Sequence, residues 1–156
     1  HPKVTEEPVT VLSPTQPIHL EANGATLHLY PAHEFSARMH VVFEGYAPQT
    51  FDGTLMDFAK AMKARTFGYV DQLTALHQAG YAQGATPDNV LALGRDNPHP
   101  LRQPKMTDSE LARHKWLDLI GDLSLIGVRL NARIEAHKSG HQLHHQLVEK
   151  LRELSL

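Results

Sequence analysis

The stretch "PIHLEANGATLHLYPA", Pro17–Ala32, decides how this chain folds. Two runs of alternating apolar residues, Pro17–Ala22 and Ala25–Ala32, flank Asn23-Gly24, a dipeptide suited to the two positive-φ positions of a tight hairpin. Alternation at period two turns one face of each strand toward a core and the other toward water. Outward from the hairpin, "VTVL" (Val9–Leu12) and "RMHVVFEG" (Arg38–Gly45) read as further strands, so the first third of the chain is β-rich. "TLMDFAKAMKAR" (Thr54–Arg65) then switches to a helical period, with Leu55, Phe58, Ala59 and Met62 on one side. Thr54 is its expected N-cap, with Asp57 three residues on, and Met56 and Met62 are expected to fill gaps between helix and sheet.

A compact β-α-β insert is expected over 66–94: strand "TFGYV", a helix from Asp71 that Gly80 ends, and strand "DNVLALG". "RDNPHPLRQPK" (Arg95–Lys105) carries three prolines and reads as a loop. A long helix should begin near Thr107 or Asp108 and end at Gly127. "RLNARIEAHK" (Arg129–Lys138) alternates like a strand with one exposed face, and Arg133, Glu135 and Lys138 would be that solvated face. The chain closes as a helix with Leu143, Leu147, Leu151 and Leu154 directed at the sheet. The expected fold class is α+β: one domain over 1–156, a two-layer sandwich of a mostly antiparallel sheet with helices on one face, plus the insert.

Composition narrows the function. The chain's 156 residues suit one domain by the usual prior of roughly 100–200. A net charge of −2 gives no electrostatic footprint for nucleic acid. The absence of cysteine excludes disulfides, thiolate metal sites and a cysteine nucleophile, and a reducing, cytoplasmic setting is expected. No apolar run approaches the roughly 20 residues of a membrane span. The opening "HPKVTEEPVTVLSP" lacks the apolar centre of a secretion signal. It also lacks Met, as a processed product, an excised domain or a cloning boundary would. Histidine is abundant at 12 copies, so a pair of histidines alone says little about metal.

"RHKWLDLIGDL" (Arg113–Leu123) carries the chemistry, because His114, Asp118 and Asp122 recur every fourth residue. Residues so spaced lie about 40° apart around a helix axis. His114 and Asp118 therefore offer an imidazole and a carboxylate to a single ion, while Trp116, Leu119 and Leu123 point into the core. Zinc accepts such donors, and its catalytic sites take three protein ligands and leave a place for water. The ordinary outcome of this spacing is a solvated pair worth a few tenths of a kcal/mol. Asp122 could equally pair with Arg113 or Arg129, and Lys115 could face solvent. A second stretch adds weight: "HKSGHQLHHQL" places Ser139-Gly140 at a strand-to-helix turn and aims His141 outward, as a general acid needs. Positive charge is disfavoured at a helix N-terminus, so His141 needs a carboxylate, and Asp122 is the candidate. His144 and His145 are expected on exposed or boundary faces, without a role.

Taken together, "RHKWLDLIGDL" and "AHKSGHQL" resemble two signatures of the C-terminal half of UDP-3-O-acyl-N-acetylglucosamine deacetylase, a zinc amidase of lipid A biosynthesis in Gram-negative bacteria. Ala64–Gly94 is similar to the family's strand and acyl-passage insert, and "NPHPLR" (Asn97–Arg102) to the segment before its metal-binding helix. The resemblance implies that His114 and Asp118 are two of three zinc ligands. It implies that His141 protonates the leaving amine or steadies the oxyanion, and that Asp122 orients it. Lys115 would contact substrate, Thr66 would help hold the oxyanion, and Phe67 would border the sugar and acyl group. The implied substrate is a UDP-linked acylated glucosamine and the implied cofactor zinc.

The family's third zinc ligand and its glutamate base belong to a first domain, in a Glu-His pair. The nearest match here is His33-Glu34, in reverse order. An N-terminal partner domain, in cis or in trans, is therefore implied. Smaller departures are Gly84-Ala85 in place of a double glycine, a longer approach over "RQPKMTDSEL", and "GYAP" (Gly45–Pro48) at an early turn. Three functions follow: a C-terminal catalytic half, a non-catalytic module that binds an acylated sugar nucleotide, or a homodimer whose subunits complete each other's zinc shell. The retained ligand pair and proton donor favour the first.

Overall fold

The computed structural model describes residues 8–95 and 105–155. The "NPHPLR" segment, with Arg102, lies outside them. Strand β1 (Val11–Leu12) leads to β2 (Ile18–Ala22) and β3 (Ala25–Pro31), which pair antiparallel from Ile18 opposite Leu29 to Ala22 opposite Ala25. Asn23 and Gly24 take φ of 51° and 75°, the turn that the hairpin dipeptide requires. β4 (Ser36–Val41) and β5 (Gln49–Thr54) form a second antiparallel pair. A single 3-10 turn (Leu55–Asp57) and the short α1 (Phe58–Ala61) follow, then β6 (Thr66–Tyr69), α2 (Val70–Gln78) and β7 (Val90–Leu93). The long α3 (Glu110–Leu123), β8 (Arg129–Leu130), β9 (Ala132–His137) and α4 (His141–Leu154) complete the chain.

The main sheet runs β2-β3-β9-β4-β5, antiparallel except where β4 meets β9, so the fold is an α+β sandwich. Register builds its core row by row. Leu29, Ile134, Ala37 and Gly53 lie in one line across the strands, and Leu20, Leu27, Ala136, Met39 and Phe51 in the next. α3 and α4 cover this face. Their buried residues, Leu111, Ala112, Trp116, Leu119 and Leu123 on one and Leu143, Leu147, Val148 and Leu151 on the other, follow the three-and-four spacing of an apolar stripe. The opposite face is polar: Arg133 bonds Asp52 at 2.6 Å and Glu135 at 2.8 Å, and His40 stacks on His137. β6 and β7 form a separate parallel pair joined by α2, the β-α-β insert. Among the described residues, no helix is long and apolar enough to cross a membrane.

Trp116 locks the two layers. It is fully buried, its ring meets Phe51 edge-on at 5.5 Å, and its indole N–H donates to the Ala37 carbonyl at 3.0 Å. Trp116→Phe keeps most of the apolar contact but leaves that carbonyl without its donor. It should cost about 2 kcal/mol, read as a lower urea midpoint with an unchanged slope.

Several expectations need correction. Thr54 caps as anticipated, accepting from the Met56 N–H while Asp57 accepts from the Thr54 N–H. The helix it starts is nevertheless a 3-10 turn and one α-turn, and Leu55, Phe58 and Met62 are largely exposed. A lone turn cannot carry a stripe, and Ala61 is its buried contact. Met56 fills no gap, being 90% exposed. β5 went unread because "QTFDGT" needs only Phe51 and Gly53 on the inner face of an edge strand. Leu154 lies in the last turn of α4, 57% exposed, at the rim of a surface pocket it shares with Ile18 and His19 rather than in the core. β9 does have one solvated face, as its alternation predicts, but it is the central strand.

Candidate active site

A cleft of about 550 Å³ opens where the start of the insert meets α3 and the turn into α4. Six of the seven residues singled out from sequence line it: His114, Lys115 and Asp118 from α3, Thr66 and Phe67 from β6, and His141 from α4. Asp122, the seventh, sits behind His141 at the 13% exposure of a nearly covered side chain. Val41, Val42, Phe43, Lys138 and Ser139 complete the lining; Lys138, expected on the solvated face of the strand, and Ser139, expected only as part of the turn, were given no part in the site. The core stripe of α3 fixes the geometry, because Trp116 and Leu119 point inward and turn His114, Lys115 and Asp118 toward the cleft.

His114 Nε2 lies 3.5 Å from Asp118 Oδ1, and Lys115 Nζ donates to Asp118 Oδ2 at 3.1 Å. Lys115 thus holds one carboxylate oxygen and leaves the other facing the imidazole. Burial is the main force lowering the His114 pKa, with Lys115 adding to it and Asp118 and the Ala64 backbone opposing it. The ring is therefore neutral near pH 7. Among the described residues its buried Nδ1 has no partner in good hydrogen-bond geometry, although the Ala64 backbone lies close enough to act on the ring, and Nε2 makes the long contact to Asp118. A neutral imidazole beside a free carboxylate oxygen fits a zinc ion by donor type. Two donors do not fill a coordination shell. Among the described residues, no third His, Asp or Glu donor joins this pair within 4.8 Å.

On the other wall the chain leaves β9, turns at Lys138 with φ 53°, and enters α4 through Gly140. His141 is the first residue of that helix, and its Nδ1 lies 2.6 Å from Asp122 Oδ2. Asp122, rather than being claimed by Arg113 or Arg129, meets three imidazoles: His141, His144 at 2.8 Å and His145 at 3.3 Å. Burial alone would raise the Asp122 pKa, but the bonds from His144 and His141 outweigh it and hold the carboxyl below its usual range. Ligand atoms of Asp122, His141 and His145 lie within 4.8 Å of one another, so their donor types would suit a cation. Hydrogen bonds to one carboxylate already occupy them.

His144 corrects the expectation of an exposed or boundary residue: it is wholly buried. The signal was present in the sequence. Residues 143, 144, 147, 148 and 151 form a single three-and-four stripe, and reading only its leucines left the histidine out.

A family model for UDP-3-O-acyl N-acetylglycosamine deacetylase matches residues 2–153. The chain belongs to that family. It is similar to the UDP-3-O-acyl-N-acetylglucosamine deacetylase of Nitratidesulfovibrio vulgaris, 32% identical over 145 residues, which covers 88% of this chain and 46% of that protein. The Chromobacterium violaceum deacetylase is 33% identical over 151 residues, covering 88% and 47%. That of Syntrophotalea carbinolica is 31% identical over 157 residues, covering 96% and 50%. The chain spans about half the length of the curated deacetylases it matches.

Proposed function

We propose that this chain supplies the C-terminal half of the active site of a zinc-dependent hydrolase that removes the N-acetyl group of UDP-3-O-acyl-N-acetylglucosamine in lipid A biosynthesis. One observation carries the reading: a His-Asp pair and a carboxylate-backed His line one cleft, together with a lysine and a threonine. His114 and Asp118 would hold zinc, whose chemistry when bound is to polarise a carbonyl and acidify water.

The chain's own residues then have separable tasks. Lys115 keeps Asp118 oriented and presents positive charge to the substrate. Thr66 is placed to donate its hydroxyl to the oxygen that gains charge when the amide carbonyl is attacked. Phe67 and Phe43, whose rings meet at 5.2 Å, offer the apolar wall that an acyl chain or sugar face requires. His141 spends Nδ1 on Asp122, which leaves Nε2 as the nitrogen able to deliver a proton to the departing amine. The amide C–N bond breaks, the amine nitrogen takes that proton, and acetate leaves with the oxygen of water. The third zinc ligand and the base that accepts the proton of water are assigned to an N-terminal half.

Mixing this chain with a separately folded N-terminal half of a related deacetylase, in the presence of zinc, should restore acetate release from the acylated sugar nucleotide. Chelation should abolish it, and neither half alone should turn over substrate. Absence of rescue with a well-folded partner would overturn the reading. Sugar-nucleotide binding that is indifferent to chelator would point instead to a non-catalytic module.

A further inference from the structure

Asp122 is held by more than the residue it is paired with for proton transfer. His144 lies on α4 one turn beyond His141, fully buried, with Nδ1 2.8 Å from Asp122 Oδ2 and Nε2 2.9 Å from the Ser139 hydroxyl. Ser139 is itself 1% exposed. The bonding pattern assigns the protons. An ionised carboxylate only accepts, so His144 must donate from Nδ1. Its Nε2 is then an acceptor and takes the Ser139 hydroxyl proton. The buried part of the row, Ser139–His144–Asp122, is satisfied in this sense, since turning the His144 tautomer round would set a bare nitrogen against the carboxylate; the Ser139 hydroxyl also lies 3.8 Å from Met39 Sδ.

We propose that His144, backed by Ser139, is a positioning residue: it fixes the rotamer and charge of Asp122, and through Asp122 the tautomer and aim of His141. This rests on the proton-donor reading of His141. Without His144 the carboxylate would be held by His141 and the exposed His145 alone, free to rotate about its side-chain bonds and with more of its charge on His141. Sharing Oδ2 with a second, buried donor divides that charge and locks the direction of the accepting lone pairs. Burial leads the causes that push the His144 pKa down to about 4, so the inner ring stays neutral. The charged and titratable groups around the pair are Asp122, His114 and Lys115 on α3, Lys138 in the turn, and His145 on α4.

The test is ring-nitrogen NMR on the whole chain without metal, so that its outcome does not depend on turnover. His144→Leu removes the donor, and His144→Asn keeps an N–H for Asp122. In the Leu variant the His141 titration midpoint should rise by about half a pH unit or more, as Asp122 loses its buried donor and its charge is shared by His141 and the longer contact to His145 alone. His141 should also lose its single tautomer, and the Asn variant should recover most of both. If the Leu variant does not fold, Ser139→Ala frees the His144 ring and should produce the same shift at smaller size. In the enzyme assembled with its N-terminal half, kcat should fall about tenfold with KM unchanged. An unmoved His141 midpoint and tautomer in these variants overturns the proposal even if the assembled enzyme is active. A moved midpoint in a protein that never deacetylates sustains the positioning role and removes the deacetylase reading instead.

Discussion

His114→Ala and Asp118→Ala should each lower deacetylation by the assembled enzyme about 100-fold or more, with matching loss of bound zinc, while leaving the fold intact. The size follows from the coordination shell: with two donors on this chain, losing one leaves a single anchor on this side of the cleft. The neutrality in stability follows from the geometry. The buried His114 Nδ1 has no partner in good hydrogen-bond geometry among the described residues, and its Nε2 reaches Asp118 only at 3.5 Å. Removing the ring therefore breaks no strong bond. Among the described residues Asp118 is tied to Lys115 and His114, at the 19% exposure of a cleft wall, so its loss should cost less than about 1 kcal/mol. Metal content after dialysis, kcat and a urea melt are the three readings. A variant that lost activity and stability together would show that this pair is structural.

That contrast explains what was legible in the sequence. The sheet and the long helices were readable because each buries one face: the hairpin at Asn23-Gly24, the alternation of Ala132, Ile134 and Ala136, and the stripe of Trp116, Leu119 and Leu123 are periodic signals. The same stripes fixed which way His114, Lys115 and Asp118 would point, so the α3 side of the cleft could be foreseen without coordinates. Where the burial signal is short, the reading failed. β5 needs two inner residues, and the turn after Thr54 buries only Ala61. Contacts between segments far apart in sequence left no local pattern at all. Nothing near Ser139 indicates that it meets His144, and nothing at Asp122 indicates three imidazoles rather than one.

The strongest of these unread contacts sets the largest stability effect. Glu110→Gln should cost about 3–5 kcal/mol at pH 7. Glu110, the first residue of α3, is 1% exposed and accepts from the Arg65 backbone N–H at 3.1 Å, Arg65 Nε at 2.8 Å, Arg65 Nη2 at 3.0 Å and the Thr107 N–H at 2.8 Å. Arg65, also buried, donates from Nη1 to the Pro87 carbonyl and from Nη2, shared with Glu110, to the Lys105 carbonyl. The pair clamps the start of β6 to the start of α3, and so sets Thr66 and Phe67 against His114. An amide at 110 takes from the buried Arg65 guanidinium the carboxylate bonded directly to it. Arg65→Met combined with Glu110→Leu should regain much of the loss, because both desolvation penalties vanish together. Burial alone would raise the Glu110 pKa, but the Arg65 bonds with the Thr107 N–H outweigh it and bring it from 4.5 to about 2. A depressed carboxyl stabilises the fold above its unfolded value and loses that contribution as pH falls through the folded one. Stability of the native chain should therefore drop by about 3 kcal/mol between pH 4.5 and 2. His144 produces an earlier drop, between pH 6.5 and 4, since the unfolded chain takes up a proton that the buried ring refuses. Urea melts across this range should show both steps in the native chain, with the lower one reduced in Glu110→Gln to what the depressed Asp122 and Asp52 contribute. An undiminished lower step in the variant would assign it wholly to those other carboxylates.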